Sequence, residues 1–278
     1  MKENTRRNFL KISGLTAAAS FVAIKPTIGK RVAKTYSLKL GLASYSLRKF
    51  DQAETIKMTK RAGLDYICFK SMHLPLESSV DDLKKGAKNA KDAGLNLYGG
   101  GVIYMKDKAQ VDQGFEYAKN AGMSLIVGVP NHELLEYTND KIKQYDIKVA
   151  IHNHGPGDEM YPSPESIYEK IKDLDPRFGL CMDIGHTQRI GVDPSEAAKK
   201  YFSRLFDIHI KDVSKAKEDG ETVEIGRGVI DIPKFLKLLV DRRYEGVVSF
   251  EYEKDENDPM PGLCESVGYV KGCLASIA

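Results

Sequence analysis

The chain has 278 residues, of which 42% are hydrophobic and 29% charged, the composition of an ordinary globular protein with a large core. Lys and Arg number 42 against 39 Asp and Glu, and this near balance, with a net charge of +3, argues against a nucleic-acid partner. The four cysteines are scattered without C-x-x-C spacing, so Cys68 and Cys181 are predicted to be packing residues in strands and not zinc ligands.

The N-terminus predicts export. Thr5–Lys11 reads TRRNFLK, a twin-arginine signal, and the short apolar run Leu15–Ile24 follows it. Residues 1–30 are therefore predicted to be a signal peptide and linker. We expect the twin-arginine machinery as a partner, a periplasmic location and no stable membrane anchor, because the apolar run is too short to span comfortably.

From about residue 38 onwards, short apolar runs alternate with helix-length amphipathic runs. In residues 232–240, for example, the apolar positions fall on one helix face. Alternating strands and helices predict a single (β/α)8 TIM barrel over residues 36–278, with a doubly wound open sheet as the alternative. No Gly-rich phosphate loop follows the first strand, as the open sheet would favour. The predicted strands are Leu38–Tyr45, Tyr66–Phe69, Leu95–Val102, Ser124–Val129, Lys148–His152, Gly179–Asp183, Phe206–Ile210 and Val247–Glu251.

Polar residues concentrate at the predicted carboxyl ends of the strands, where barrels of this kind hold their reactive groups. His152, Asp183, His209 and Glu251 end four successive strands and can converge on one ion. Two imidazoles and two carboxylates suit Mn²⁺, Co²⁺, Zn²⁺ or Fe²⁺, with Mg²⁺ also considered, better than Ca²⁺. Taken singly, each residue also has a structural explanation, as a helix cap, a surface ion pair or a core histidine.

Five motifs extend this pattern: IHNHGPGD, CMDIGHT, DIHIKD, EIGRGVID and SFEYE, in this order along the second half of the chain. With them the chain resembles the xylose isomerase-like TIM-barrel superfamily, described broadly as sugar phosphate isomerases and epimerases. Members include ketose 3-epimerases, inosose dehydratase, 3-dehydroshikimate dehydratase and endonuclease IV. The motifs are specific for the superfamily and weak on substrate.

The resemblance implies metal ligation by His152, Asp183, His209 and Glu251, with Glu251 also acting as an acid–base group. The epimerases usually carry Glu where this chain has His152, so only one glutamate of their proton-shuttling pair is kept. The resemblance also implies that His154 is catalytic and that His186 polarises the substrate. The remaining predicted site residues are Asp158, Arg227 and Lys211 for substrate binding, and Lys70 and His73 as an extra acid or base that departs from the common pattern.

The shared chemistry of the superfamily is proton abstraction next to a carbonyl, with a small carbohydrate as substrate. The first hypothesis is an isomerase or epimerase of a non-phosphorylated sugar or keto-sugar, because sugar phosphates are mainly cytoplasmic. The second is a lyase or hydratase acting on a keto-sugar or keto-glycoside. A non-catalytic sugar-binding protein is the third. An endonuclease is placed last, since neither its additional ligands nor a basic DNA face is visible.

Overall fold

A computed structural model describes residues 37–277 of the chain. Within that range, eight parallel strands close into one barrel, each paired with its sequence neighbours and the first paired with the last. The predicted (β/α)8 barrel is thereby confirmed, and the open sheet is excluded. The strands are β1 (Lys39–Ala43), β2 (Tyr66–Phe69), β3 (Asn96–Met105), β4 (Leu125–Pro130), β5 (Lys148–His152), β6 (Phe178–Asp183), β7 (Leu205–Ile210) and β8 (Val247–Phe250).

Helices connect the strands, and capping residues mark several of their ends. Gly63, Gly94 and Gly122 follow helices with φ between 69° and 76°, the left-handed conformation that glycine adopts without strain. Asp193 and Ser163 cap helices that have Pro in the first turn. The helices are α1 (Gln52–Arg61), α2 (Val80–Asp92), α3 (Lys108–Asn120), α4 (Leu135–Tyr145), α5 (Pro164–Ile171), α6 (Ile184–Arg189), α7 (Pro194–Lys200), α8 (Ile232–Asp241) and α9 (Met260–Ile277).

Strand β3 is longer than predicted. The sequence prediction ended it at Val102, but a register shift between Gly101 and Ile103 lets the strand continue beside β4 as far as Met105, opposite Pro130. The extension places Tyr104 at the carboxyl end of the barrel, where the sequence prediction had no residue from this strand.

A buried carboxylate organises the long loop after β7. The side chain of Asp212 accepts hydrogen bonds from four backbone amides, those of Val213, Gly226, Gly228 and Ile230, at 2.9–3.2 Å. Asp212 and Val213 also pair with Thr222 and Val223 in a two-stranded hairpin. The loop is therefore held against the end of β7 by one anionic group.

The predicted twin-arginine signal lies outside the described residues, and export stays a prediction. Within residues 37–277, no helix has both the length and the apolar character needed to cross a membrane.

Candidate metal centre

Four buried side chains from adjacent strands meet at the carboxyl end of the barrel. His152 and Asp183 are the last residues of β5 and β6, His209 is the last but one of β7, and Glu251 directly follows β8. Each is at most 5% exposed. Their ligand atoms all lie within 4.8 Å of one another, so the structure brings together the four residues predicted to bind the metal.

The spacing within this cluster suits one ion. His209 Nδ1 lies 3.0 Å from His152 Nε2 and 3.2 Å from Glu251 Oε2. His152 Nε2 lies 3.7 Å from Asp183 Oδ2 and 4.0 Å from Glu251 Oε2. Ligands bonded at about 2.0–2.2 Å to a shared ion lie about 3–4 Å apart, so small adjustments suffice to hold one.

The protonation states of His152, Asp183 and Glu251 also suit a cation. Burial lowers the pKa of His152 to about 3, which keeps its imidazole neutral and able to ligate. Burial alone would raise the pKa of the Asp183 and Glu251 carboxyls, but the neighbouring histidines and Lys211 hold the pKa of both below its ordinary value. Asp183 Oδ2 is buried without a hydrogen-bond donor in proper geometry, an arrangement that a bound cation would relieve.

Lys211 lies within this cluster and not beside it. Its Nζ lies 3.0 Å from Asp183 Oδ2, 2.9 Å from Glu251 Oε2 and 3.0 Å from Glu253 Oε2, and the side chain is buried. Burial disfavours the ammonium, but the three carboxylates outweigh it and raise the pKa of Lys211. One ammonium against three carboxylates leaves an excess of negative charge, which a divalent cation would balance.

Two further predicted histidines face the cluster. The His186 Nε2 lies 3.9 Å from Asp183 Oδ2, and its ring centre is 6.1 Å from that of His152. The ring of His154 is 4.5 Å from that of His152. Burial lowers the pKa of both His154 and His186, so each is available as a neutral base.

His154 lies between a carboxylate and a phenol. Its Nδ1 is at ion-pair distance, 3.1 Å, from Asp158 Oδ2, although the ring N–H is not aligned as a hydrogen bond. Its Nε2 lies 3.1 Å from the hydroxyl of Tyr104, whose ring stacks on the imidazole. A proton on Nδ1, facing Asp158, leaves Nε2 to accept from Tyr104. Asp158, predicted to bind substrate, contacts His154 and accepts hydrogen bonds from the backbone amides of Met160 and Tyr161, and its role towards substrate stays a prediction.

Lys70 lies on the opposite side of the barrel mouth. Its ammonium donates to the Val102 carbonyl at 2.8 Å and lies 5.9 Å and 5.8 Å from the ring centres of Tyr45 and Tyr104. Burial lowers the pKa of Lys70, so it gives up a proton more readily than a surface lysine.

The structure does not bring two of the predicted residues to the cluster. His73 is buried, and its ring nitrogens lie 2.8 Å from Ser44 Oγ and 3.2 Å from the Leu47 carbonyl oxygen, so it fixes the turn after β1. Arg227 forms a bidentate ion pair with Glu265 on α9, at 2.6 Å and 2.7 Å. Conversely, Tyr104 and Glu253 contact site residues and were not predicted. A longer β3 would have identified Tyr104, and the motif SFEYE contains Glu253 two residues after Glu251.

Known proteins with similar sequences include inosose dehydratases. The chain is 31% identical to that of Mesomycoplasma hyopneumoniae over 153 residues, 48% of this chain and 50% of the relative. It is 30% identical to that of Clostridium perfringens over 148 residues, 46% of this chain and 49% of the relative. The chain thus spans about half the length of the curated relatives it matches.

Solved structures share the fold at low identity. A D-tagatose 3-epimerase-like protein superposes with a TM-score of 0.70 at 20% identity, over 86% of this chain and 98% of that one. L-ribulose 3-epimerase gives 0.70 at 17% identity, over 87% and 96%. The IolI protein with a bound zinc atom gives 0.69 at 20% identity, over 86% and 98%.

A family model extends the likeness along most of the barrel. The model described as xylose isomerase-like TIM barrel matches residues 56–273, from the first helix to the last. This match covers more than half of the chain and includes every residue of the metal cluster. The chain therefore belongs to the xylose isomerase-like TIM barrel family.

Proposed function

We propose that this chain is a divalent-metal-dependent enzyme that removes a proton next to the carbonyl of a non-phosphorylated sugar or keto-sugar, and that it acts as an isomerase or epimerase. The observation that carries the proposal is the buried set of two imidazoles and two carboxylates at the barrel mouth. When bound there, a divalent cation would polarise the carbonyl and stabilise the negative charge that develops on the substrate oxygens.

His154 is the side chain best suited to remove the proton. Its imidazole is neutral, partly exposed and supported by the Asp158 carboxylate, which stabilises the imidazolium formed when the proton arrives. A positioned base of this kind contributes about 10²–10⁴-fold to the rate. Tyr104, at 3.1 Å, would exchange a proton with the same imidazole.

Glu251 is suited to a different task. Its pKa is held well below the ordinary value, with His209 and Lys211 as neighbours, so it stays ionised and holds its proton poorly. Glu251 therefore serves first as a ligand. It accepts a proton only once the charges around it change, for example when substrate displaces the Lys211 ammonium. Epimerisation needs groups on both faces of a carbon, and His154 after β5 and Glu251 after β8 supply two groups from different strands.

A dehydratase is the second candidate. The observation that favours it is the likeness to inosose dehydratases, together with Lys70, whose lowered pKa makes it an acid able to protonate a leaving hydroxyl. Loss of water requires only one base and one acid, so it does not need the second glutamate that His152 replaces.

Proton exchange with solvent separates the two reactions. The chain, loaded with Mn²⁺, would be incubated in D₂O with D-tagatose, L-ribulose and an inosose as probes and followed by NMR. We expect deuterium at an inverted or neighbouring carbon of at least one probe. Loss of water with a new unsaturated ketone would instead support the dehydratase.

Matched variants tie the activity to the site. His209→Ala should lose both metal and exchange, and Glu251→Gln should keep the fold and lose turnover. Glu245→Gln, an exposed glutamate at the opposite end of the barrel, should match the unchanged chain. A metal-free protein after purification without chelator, combined with no deuterium in any probe at saturating Mn²⁺, would contradict the proposal.

A further inference from the structure

The barrel layer directly beneath the metal cluster carries a thiol. Side chains two positions apart in a strand point to the same face, so Cys181 lies one layer below Asp183 on β6, as Asp207 lies below His209 on β7. Cys181 is fully buried in the barrel interior. Its Sγ–H donates to Asp207 Oδ2 at 3.6 Å.

This thiol lies within reach of the two histidines of the cluster. The ligand atoms of His152, Cys181 and His209 all fall within 4.8 Å of one another. Among residues 37–277, the Cys181 thiol forms a possible ligand set with the two imidazoles, and this set does not include the carboxylates of Asp183 and Glu251. An ion bonded to sulfur would therefore lie deeper in the barrel than one held by the carboxylates.

The lower layer also contains a histidine nitrogen without a partner. His209 is 1% exposed, and its Nε2 makes no hydrogen bond. That nitrogen lies 3.7 Å from Asp207 Oδ2, on the side away from His152 and Glu251, which are contacted by Nδ1. A buried, unsatisfied imidazole nitrogen costs free energy unless a donor or a cation occupies the space in front of it.

We propose that the two histidines serve two overlapping metal positions: an upper one completed by Asp183 and Glu251, and a lower one completed by Cys181 that captures thiophilic ions. The lower position shares His152 and His209 with the metal site proposed above. The inference rests on the proposed function only in requiring that these two histidines bind metal. It does not depend on which reaction the chain catalyses.

The ligand types decide which ion goes where. Carboxylate oxygens with imidazole suit Mn²⁺ and Co²⁺, whereas a thiolate selects softer ions such as Cd²⁺ and competes well for Zn²⁺. Binding forms an ion–sulfur bond and breaks the S–H bond, and the Asp207 carboxylate is the nearest acceptor for the proton. Two divalent cations this close together would repel each other strongly, so an ion in the lower position should exclude one from the upper position, and thiophilic ions should inhibit the enzyme.

Single-thiol chains test the lower position without any substrate. The chain has four cysteines, so C68S/C264S/C273S leaves Cys181 alone, and C181S/C264S/C273S leaves Cys68 alone as a matched buried control. Each metal-free protein would be titrated with Cd²⁺ while the sulfur-to-cadmium charge-transfer absorption is recorded. In the Cys181-only chain we expect this absorption to rise until one equivalent of Cd²⁺ has been added. In the Cys68-only chain we expect no such absorption.

Affinities give the second readout. Cd²⁺ should bind the Cys68-only chain about 10–100-fold more weakly than the Cys181-only chain, the scale on which changes near a metal act. Mn²⁺ should bind both chains equally, because Cys181 is outside the upper position. Circular dichroism melts would confirm that both chains are folded.

The outcomes separate this inference from the proposed function. Cd²⁺ binding to the Cys181-only chain without a charge-transfer band would overturn the lower position, as would an equal band in the Cys68-only chain. If the Cys68-only chain does not fold, the band in the Cys181-only chain still decides. If the Cys181-only chain shows the charge-transfer band but neither chain binds Mn²⁺, the lower position is supported and the proposed metal-dependent function is contradicted.

Discussion

Asp207 is a buried acid with few partners, directly below the metal cluster. Its carboxylate accepts from the hydroxyl of Tyr98 at 3.1 Å and 3.2 Å, and from the thiol of Cys181. Burial raises the pKa of Asp207 to about 7. Its Oδ2 is 3.7 Å from the free Nε2 of His209, and a small shift of either side chain would form a hydrogen bond between them. Carboxylates orient metal-binding histidines through hydrogen bonds of this kind.

Replacing Asp207 by Asn should therefore weaken metal binding without removing any ligand. We expect a loss of about 10–100-fold in Mn²⁺ affinity, because the amide holds the ring of His209 less firmly with its Nδ1 toward the ion. Calorimetric titration of the metal-free protein measures it. Ser249→Ala is the control, since Ser249 also contacts Tyr98 but not His209. Equal affinities in Asp207→Asn and the unchanged chain would show that the carboxyl has no orienting role.

Residue types at the site could be predicted from the sequence, whereas side-chain directions could not. His152, Asp183, His209 and Glu251 could be identified because each ends an apolar strand, and the strands fix where their ends meet. His73 also follows a strand, but the turn after β1 offers it two hydrogen-bond partners, and local sequence carries no sign of that.

The ends of strands and loops also divide into those that could be predicted from the sequence and those that could not. Strands β2 and β5 match their predicted bounds, because each is a run of buried residues ended by a polar side chain or a turn. Strand β3 was predicted to end too early, at Val102, because its pairing with β4 shifts register between Gly101 and Ile103 and the sequence does not show that pairing resumes beyond the shift. The loop after β7 could not be predicted at all, because its shape depends on Asp212 binding amides up to 18 residues away.

Glu224 connects that loop to the segment after β8, and its pKa predicts that this connection weakens in acid. Its buried carboxylate accepts from Lys254 Nζ at 2.8 Å and from the Tyr252 hydroxyl at 3.0 Å, and the hydrogen bond from Lys254 is the main reason that its pKa falls to about 2. A lowered folded-state pKa stabilises the protein above the unfolded-state value and loses that contribution as the pH falls from about 4.5 towards 2.

Glu224→Gln should accordingly flatten the loss of stability in acid. We expect the variant to be less stable than the unchanged chain by about 1 kcal/mol near pH 6, after allowance for the solvent exposure of Lys254, with a narrower gap at pH 3 that closes towards pH 2. Urea unfolding at both pH values measures the gap. Glu221→Gln, an exposed carboxyl on the same loop, is the control. A gap that stays constant with pH would assign the effect to packing instead of charge.

At the scale of the whole barrel, the metal cluster joins four consecutive strands. The ligands come from β5, β6, β7 and the end of β8, which are neighbours in the closed sheet. Unfolding must separate them, so an ion that binds only the folded chain stabilises the entire barrel and not one loop. Without a metal ion, Lys211 already balances part of the negative charge of Asp183 and Glu251.

The melting temperature should therefore rise with divalent metal by a limited amount. At a free Mn²⁺ concentration of about 100 times Kd, binding contributes about 2.7 kcal/mol, which raises Tm by about 5–10 °C in a chain of this size. Calorimetry with Mn²⁺ and with chelator measures the difference. Asp183→Asn should abolish the shift, because it removes a ligand, and Glu245→Gln should retain it.

Lys211→Met distinguishes the two sources of charge balance: without the ammonium, the metal-free protein should melt at a lower temperature, and the rise in Tm on adding Mn²⁺ should be larger. An equal shift in Lys211→Met and the unchanged chain would mean that the ammonium and the ion do not share the carboxylates.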